Sequence, residues 1–257
     1  MTAKTRRIAK RPSTPKRGFS RRRGPVVPAR ARRIEREIVA ILKRLLAEAY
    51  PSCLDKRFAA AYGEVLRLFA DYQREVLAAY PHRVACGASC GVCCNHWPED
   101  AYSFEVQLIA DALRRTRPRD LGIIRAALAG DIACLDGIRR AVDEKFDSPV
   151  QREALGDIDP YDVVLSSFYQ FQRPCPLLDK KGSCAIYRIR PLTCRVYVSF
   201  SPPELCNPGT ILGDEARTYL LDLERDSSEL FDKLHFMYDV FDGDTGFRSM
   251  LHRALEE

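Results

Sequence analysis

The cysteines of this 257-residue chain are concentrated in two short segments, and any fold must account for that distribution. The first segment, residues 86–94, and the second, residues 175–206, together hold eight of the ten cysteines. These are Cys86, Cys90, Cys93 and Cys94 in the first segment, and Cys175, Cys184, Cys194 and Cys206 in the second. Glycine, proline and serine lie beside them, so we predict irregular loops rather than helices or strands.

Disulfides, buried structural thiols and metal ligands are the three explanations for such cysteines. Disulfides need an oxidising compartment, and the chain shows no export signal and is long enough to be stabilised by its core. Buried structural thiols would be scattered over apolar helix faces, whereas these lie in loops. Metal ligation therefore fits best, because thiolates a few residues apart on tight loops converge on zinc or iron.

The spacing of the first segment leaves the number of metals open. Cys90 and Cys93 form a C-x2-C unit with Gly91 between them, the strongest local indication of a ligand pair. In extended backbone the neighbours Cys93 and Cys94 point to opposite sides, so they fit one tetrahedral centre poorly. Eight thiols suffice for two four-coordinate centres, but one centre with spare cysteines is equally allowed. The spacings match neither a zinc ribbon nor a ferredoxin.

Residues of other types near the cysteines are candidates for supporting roles. We expect Arg190 or Arg195 to donate hydrogen bonds towards sulfur, because clustered thiolates need positive charge nearby, and we expect Arg188 to be an ordinary surface residue. His96 either replaces a thiolate or lies at the surface beside the site. Glu105 is either a carboxylate ligand or a residue that complements a helix dipole.

Helical periodicity dominates the rest of the chain. It predicts a mainly α fold: a helical domain with irregular cysteine-rich metal-binding loops and little or no sheet. The predicted helices start near Ile34, at Asp55 as N-cap, at Ser103 as N-cap, near Asp120 and at Pro160, with one or two more within residues 214–242. Residues 34–50 and 55–81 are expected to pair antiparallel. Only residues 194–201 predict a strand.

Two cysteines and the N-terminal residues are not candidates for the metal site. Cys53 and Cys134 are expected to be small buried apolar residues. Residues 1–33 contain thirteen Lys and Arg, four prolines and no acidic residue, which predicts a disordered basic tail ahead of a helical domain spanning residues 34–257. The tail is a candidate contact for nucleic acid or an acidic partner.

Because no apolar run approaches the roughly 20 residues of a membrane span, we expect no membrane contact and a cytoplasmic protein.

The cysteine segments resemble those of the YkgJ-type cysteine-cluster family, described as a zinc- or iron-chelating domain with a CxxCxxCC motif. The similarity covers residues 86–206, with "CGASCGVCC" followed by "CPLLDKKGSCAIYRIRPLTCR". The chain departs from the motif at Cys86, which lies four residues before Cys90 rather than three, and Cys86 is thus the least certain ligand. The resemblance implies metal binding by the eight cysteines. Flagellin lysine methylases share a related motif with an iron-sulfur cluster.

These observations leave three hypotheses about function. The chain is a zinc or iron-sulfur protein whose thiolates organise the helices or carry electrons, a metal-dependent enzyme that modifies a partner, or a nucleic-acid adaptor that binds through its tail. The sequence shows no glycine-rich phosphate loop and no recognisable catalytic set of His, Ser and Asp. Whether the protein is an enzyme is therefore left open.

Overall fold

The computed structural model describes residues 27–87, 89–147, 158–209 and 217–256. Within these residues the chain forms eight α-helices, two short 3-10 helices and one two-stranded sheet, which confirms the predicted mainly α fold. The helices are α1 (Ala29–Ala47), α2 (Lys56–Ala78), α3 (Ser103–Thr116), α4 (Leu121–Phe146), α5 (Pro160–Gln170), α6 (Thr193–Val196), α7 (Arg225–Met237) and α8 (Phe247–Glu256). The strands are β1 (Tyr197–Ser199) and β2 (Thr218–Leu220), and the 3-10 helices are Val92–Asn95 and Pro203–Cys206.

Helices α1 and α2 form an antiparallel hairpin, as predicted. Arg30 near the start of α1 lies 3.4 Å from Glu75 near the end of α2, measured from Nε to Oε1. At the other end, the rings of Tyr50 and Phe58 meet edge to face with centroids 5.5 Å apart. The predicted N-cap is also confirmed, because Asp55 Oδ1 accepts a hydrogen bond from the backbone N–H of Arg57 at 2.8 Å.

The first helix extends beyond its predicted start. It begins at Ala29, within the stretch assigned to the basic tail, so residues 29–33 are helical. Residues 1–26, which make up most of the predicted tail, lie outside the described residues.

Three clusters of buried side chains form the core. The first joins the facing stripes of α1 and α2 to α7, with Phe69 and Leu234 fully buried. The second packs α3, α4 and α8 against the second cysteine segment, and includes Leu177 and Ile186. The third holds Trp97 between α4 and α5. The two cysteine segments therefore lie on a helical scaffold that contacts them from several sides.

The strand prediction for residues 194–201 was only partly correct. Residues 193–196 form the helical turn α6, and the strand is limited to β1. Its antiparallel partner β2 lies in a region predicted to be helical, with Val198 opposite Tyr219. The backbone N–H of Phe200 donates to the Arg217 carbonyl at 2.8 Å, so this long-range pairing decides the conformation rather than local propensity.

Two further predictions need correction at helix ends. Ser103 is the first residue of α3 rather than its N-cap, and its hydroxyl donates to the Tyr238 carbonyl at 2.8 Å. Helix α8 was not predicted, although Phe247, Met250 and Leu251 are buried on one face of it. None of the described helices is long and apolar enough to cross a membrane.

Candidate metal centre

The two cysteine segments are in direct backbone contact. The N–H of Cys175 donates to the Cys94 carbonyl at 3.0 Å, which joins the end of the first segment to the start of the second. A β-carbon added at Gly91 would lie 3.1 Å from Leu178 Cδ1 and 3.5 Å from the Gly182 carbonyl oxygen, so Gly91 packs directly against the second segment. The sequence expectation that distant thiols meet at one place is therefore supported at the level of the main chain.

Gly182 provides a second point of close approach between the segments. Its φ of +77° lies in the left-handed region, which favours glycine. A β-carbon there would lie 3.1 Å from the Ser89 carbonyl oxygen of the first segment. The turn at Gly182 reverses the chain between Cys175 and Cys184, and the N–H of Ala185 returns to the Leu177 carbonyl at 2.8 Å.

Cys86 lies against strand β1. Its Sγ accepts a hydrogen bond from the backbone N–H of Ser199 at 3.1 Å, and the N–H of the preceding Ala85 donates to the Ser199 carbonyl at 2.8 Å. Burial raises the pKa of the Cys86 thiol, and the neighbouring Cys90 and Cys206 raise it further. The residue whose spacing departs from the motif is thus held beside other thiols.

Cys206 is held at the end of the second 3-10 helix. This helix packs against the first one, which contains Cys93. The hydroxyl of Tyr169 on α5 donates to the Cys206 carbonyl. Burial raises the pKa of Tyr169 to about 12, and the thiols that add to this effect include Cys206, Cys93 and Cys90.

A second set of thiols surrounds Cys194, just inside helix α6. Burial raises the pKa of Cys194 far above its ordinary value, and Cys175, Cys94 and Cys184 raise it further. Burial likewise raises the pKa of Cys175 to about 12. Neutral thiols are favoured at these positions, so a metal ion that binds there must displace protons.

Cys93 and Cys94 lie in a 3-10 helix, which changes the argument based on their adjacency. The prediction that they point to opposite sides assumed extended backbone, and the helix Val92–Asn95 removes that premise. The pKa of Cys94 is raised first by a hydrogen bond with the Cys93 thiol and then by burial. The two thiols therefore lie close enough for Cys93 to affect the protonation of Cys94.

The two predicted arginines make different contacts. Arg195 donates from Nε to the Arg190 carbonyl at 2.8 Å and from Nη2 to the Arg188 carbonyl at 2.6 Å, so its hydrogen bonds stabilise the loop backbone. Arg190 lies with its guanidinium carbon 3.9 Å from the centre of the Tyr187 ring. The pKa values of Cys86, Cys184 and Cys194 are raised mainly by burial, and that of Cys94 mainly by its hydrogen bond with Cys93; the positive charge of Arg190 opposes the rise at all four thiols.

Within the described residues, Arg190 Nε is buried and has no hydrogen-bond partner. An unpaired buried donor beside several thiols is available to an anionic group, such as a thiolate. Arg190 thus agrees with the expected supporting role better than Arg195 does.

Arg248 on α8 was not identified from the sequence. Its side chain is fully buried, and Nη1 donates to Asp131 Oδ2 on α4 at 2.5 Å. Its Nη2 donates to the carbonyls of Cys94 at 2.7 Å, His96 at 2.9 Å and Arg173 at 3.2 Å. This single guanidinium therefore holds the backbones of both cysteine segments against the helical core.

His96 is half-buried beside the candidate site. Its ring stacks on that of Tyr169, with centroids 3.5 Å apart and planes inclined by 15°. Burial lowers the pKa of His96 to about 4, so the ring is neutral near pH 7. Its Nε2 is buried without a hydrogen-bond partner in the described part of the chain, which keeps the alternative of a ligand role open.

Glu105 supports the second segment from α3. Its Oε1 accepts from the Tyr62 hydroxyl at 2.5 Å and from the backbone N–H of Leu192 at 3.0 Å. Its Oε2 accepts from the backbone N–H of Tyr102 at 3.4 Å, at the start of the helix. These contacts favour the helix-end role over that of a metal ligand.

All ten cysteines are free thiols. Among the described residues, no three His, Cys, Asp or Glu side chains converge closely enough to form a ready-made metal site. Cys53 is fully buried in the first core, as expected, whereas Cys134 is only partly buried, because it lies at the edge of the third core rather than inside it. The eight remaining cysteines belong to the two segments that are joined by the Cys175–Cys94 backbone hydrogen bond.

Comparison with known families agrees with this geometry. Residues 85–211 match the family model described as "CxxCxxCC: Putative zinc- or iron-chelating domain". The match includes all eight cysteines of the two segments and confirms the resemblance seen in the sequence. No curated protein and no solved structure matches the chain.

Proposed function

We propose that the CxxCxxCC domain at residues 85–211 binds zinc or iron through thiolates from both cysteine segments. The observation that carries this proposal is the backbone hydrogen bond between Cys175 and Cys94, which brings two distant groups of cysteines to one place. A set of donors made only of thiols suits zinc and iron-sulfur clusters and disfavours magnesium or calcium.

The surroundings of the thiols support this fit. The N–H of Ser199 that donates to Cys86 Sγ stabilises a thiolate, because hydrogen bonds favour the charged form of an acceptor. Arg190 adds positive charge beside thiols of both segments. A thiolate-bound divalent ion is negatively charged overall, and such a centre needs these compensating donors when it is partly buried.

We propose a structural role, with electron transfer as the alternative if the bound metal is iron. The second segment packs against the second core through Leu177 and Ile186, so ions that close the loops would also fix the packing of α3, α4 and α8. Ions bound by thiols of both segments would tie the two loops together, so metal binding should add to the stability of the fold. Thiols with this role must remain reduced, which suits the cytoplasm.

Metal analysis of anaerobically purified protein tests the proposal. We expect zinc or iron bound at a fixed ratio, with visible absorption if the metal forms an iron-sulfur cluster. The variants Cys94→Ser and Cys175→Ser should each lose metal, whereas the matched control Cys134→Ser should retain it, because Cys134 lies in helix α4. Metal-free protein, or full metal content in both cysteine variants, would show that the proposal is wrong.

The basic N-terminal residues favour a second proposal, in which the tail binds nucleic acid. Thirteen Lys and Arg with no acidic residue in residues 1–33 provide the electrostatic attraction. A deletion should end at residue 26, because α1 begins at Ala29 and a longer deletion would remove helix. We expect that deletion to abolish salt-dependent retention on a nucleic-acid column while leaving the metal content unchanged. Equal retention of the full and shortened chains would exclude this proposal.

A further inference from the structure

We propose that the eight thiols form two adjacent metal centres, each with four cysteines, that meet at the Cys93–Cys94 pair. The first quartet is Cys86, Cys90, Cys93 and Cys206, and the second quartet is Cys94, Cys175, Cys184 and Cys194. This inference rests on the proposed metal-binding function and adds the number of centres and the assignment of each ligand.

Backbone contacts connect three members of the second quartet, Cys94, Cys175 and Cys184, and fix the position of the fourth. The Cys175 N–H donates to the Cys94 carbonyl at 3.0 Å, and Leu178 forms a bridge with Cys184 across the Gly182 turn. The N–H of Cys194 donates to the Pro191 carbonyl at 3.0 Å, which places Cys194 at the start of α6. The proximity of the four thiols is also evident in the pKa of Cys194, which the other three raise after burial.

The first quartet assembles around a different surface, formed by strand β1 and the two 3-10 helices. Cys86 is attached to β1 through Ser199, and the 3-10 helix with Cys93 packs against the one that ends at Cys206. Tyr169 lies beside this group and donates to the Cys206 carbonyl. Cys90 precedes Cys93 by three residues, the spacing of a metal-binding knuckle.

The sequence alone does not indicate this division. Each quartet takes cysteines from both segments, three from the first segment and one from the second in the first quartet, and the reverse in the second quartet. In the 3-10 turn Val92–Asn95, with about three residues per turn, successive side chains leave the axis about 120° apart, so Cys93 and Cys94 can serve different centres.

Arg190 is placed to serve both centres. Its charge acts on Cys86 in the first quartet and on Cys94, Cys184 and Cys194 in the second. Two divalent ions with four thiolates each would carry substantial negative charge side by side. A cation between them reduces their mutual repulsion, which allows both to be filled.

Titration of metal-free, reduced protein with Zn²⁺ tests the division, with native mass spectrometry to count the bound ions. We expect two zinc ions per wild-type chain, one for Cys206→Ser, one for Cys194→Ser and two for the control Cys134→Ser. A single zinc ion in the wild type would overturn the inference of two centres but leave the proposed function intact. No bound zinc and no native metal would overturn both.

A second measurement uses only the wild-type chain, in case the Cys194→Ser variant does not fold. After addition of one and then two equivalents of Zn²⁺, free thiols are alkylated and the modified cysteines are identified by mass spectrometry. We expect protection to appear in two sets of four that match the quartets. Protection that groups Cys90 or Cys206 with Cys184 or Cys194 would contradict the assignment.

Discussion

Arg248 and Asp131 form a buried ion pair with Nη1 and Oδ2 2.5 Å apart, which connects the C-terminal helix α8 to the middle of α4. The same guanidinium donates to the carbonyls of Cys94 and Arg173, one beside each cysteine segment. The position of the candidate metal centre therefore depends on a residue far from every cysteine in sequence.

Replacing Arg248 by methionine should destabilise the fold strongly. The change leaves Asp131 buried with only Arg173 as an ion-pair partner and removes three hydrogen bonds to loop carbonyls. We expect a loss of about 3 kcal/mol in the free energy of unfolding, measured by urea denaturation, and weaker zinc binding. The double variant with Asp131→Asn should lose less than the two single effects combined, because the uncompensated charge is removed.

The matched control for that variant is Arg253→Met on the same helix. Arg253 pairs with Asp242, whose side chain is 90% exposed, so the change should cost less than about 1 kcal/mol. Equal destabilisation by both variants would show that the buried Arg248–Asp131 pair stabilises the fold no more than the exposed Arg253–Asp242 pair does.

Gly182→Ala should weaken the contact between the cysteine segments. The new β-carbon would meet the Ser89 carbonyl and would also require a left-handed φ. Gly243→Ala provides the control, because its φ is +78° but no atom lies within 4 Å of the added carbon. We expect both variants to lose stability from backbone strain, about 1 kcal/mol, and only Gly182→Ala to bind zinc more weakly. Equal zinc affinity in the two variants would show that the close approach of Gly182 to Ser89 does not support the metal site.

Glu105 should make the stability of the fold depend on pH. Burial raises its pKa from an ordinary value of 4.5 to about 7. Between these two values the folded state holds a proton that the unfolded state has released, so the contribution of Glu105 to stability is fully present below pH 4.5 and is lost as the pH rises through 7. The slope should approach, at most, about 1.4 kcal/mol per pH unit.

The variant Glu105→Gln tests this dependence. The amide oxygen can still accept from Tyr62 and Leu192, but the group no longer titrates. We expect the unfolding free energy of the wild type to fall relative to that of the variant as the pH rises from 4.5 through 7. A constant difference across the range would show that Glu105 does not titrate in the folded protein.

Arg190→Gln should reduce metal affinity, since Arg190 lies beside thiols of both segments. We expect a loss of about 10- to 100-fold in zinc affinity, measured by competition with a chelator. Arg188→Gln is the control, because only the backbone carbonyl of Arg188 contacts Arg195 and its side chain is exposed. Similar losses in both variants would indicate a general effect of positive charge rather than a local one.

The parts of the fold that follow local periodicity could be predicted from the sequence. The apolar stripes of α1 and α2 recur over many turns, and Asp55 is a strong capping residue. Strand β2 could not be predicted, because its three residues gain their partners only through pairing with β1. Helix α8 had a recognisable apolar spacing at Phe247, Met250 and Leu251, which the ten-residue length made easy to miss.

The sequence predicted the candidate ligands but not the contacts that support them. The eight cysteines and Arg190 were proposed from residue type and position. In the sequence Arg195 was as good a candidate as Arg190, but in helix α6 its side chain donates to backbone carbonyls of its own loop. Arg248 carried no local signal, since its partner Asp131 is 117 residues away.

The most direct test of the central claim is X-ray absorption spectroscopy of the purified, metal-loaded protein at the zinc or iron edge. We predict a first coordination shell dominated by sulfur at about 2.3 Å, supplied by cysteines of both segments. A shell dominated by nitrogen or oxygen at about 2.0–2.1 Å would contradict it.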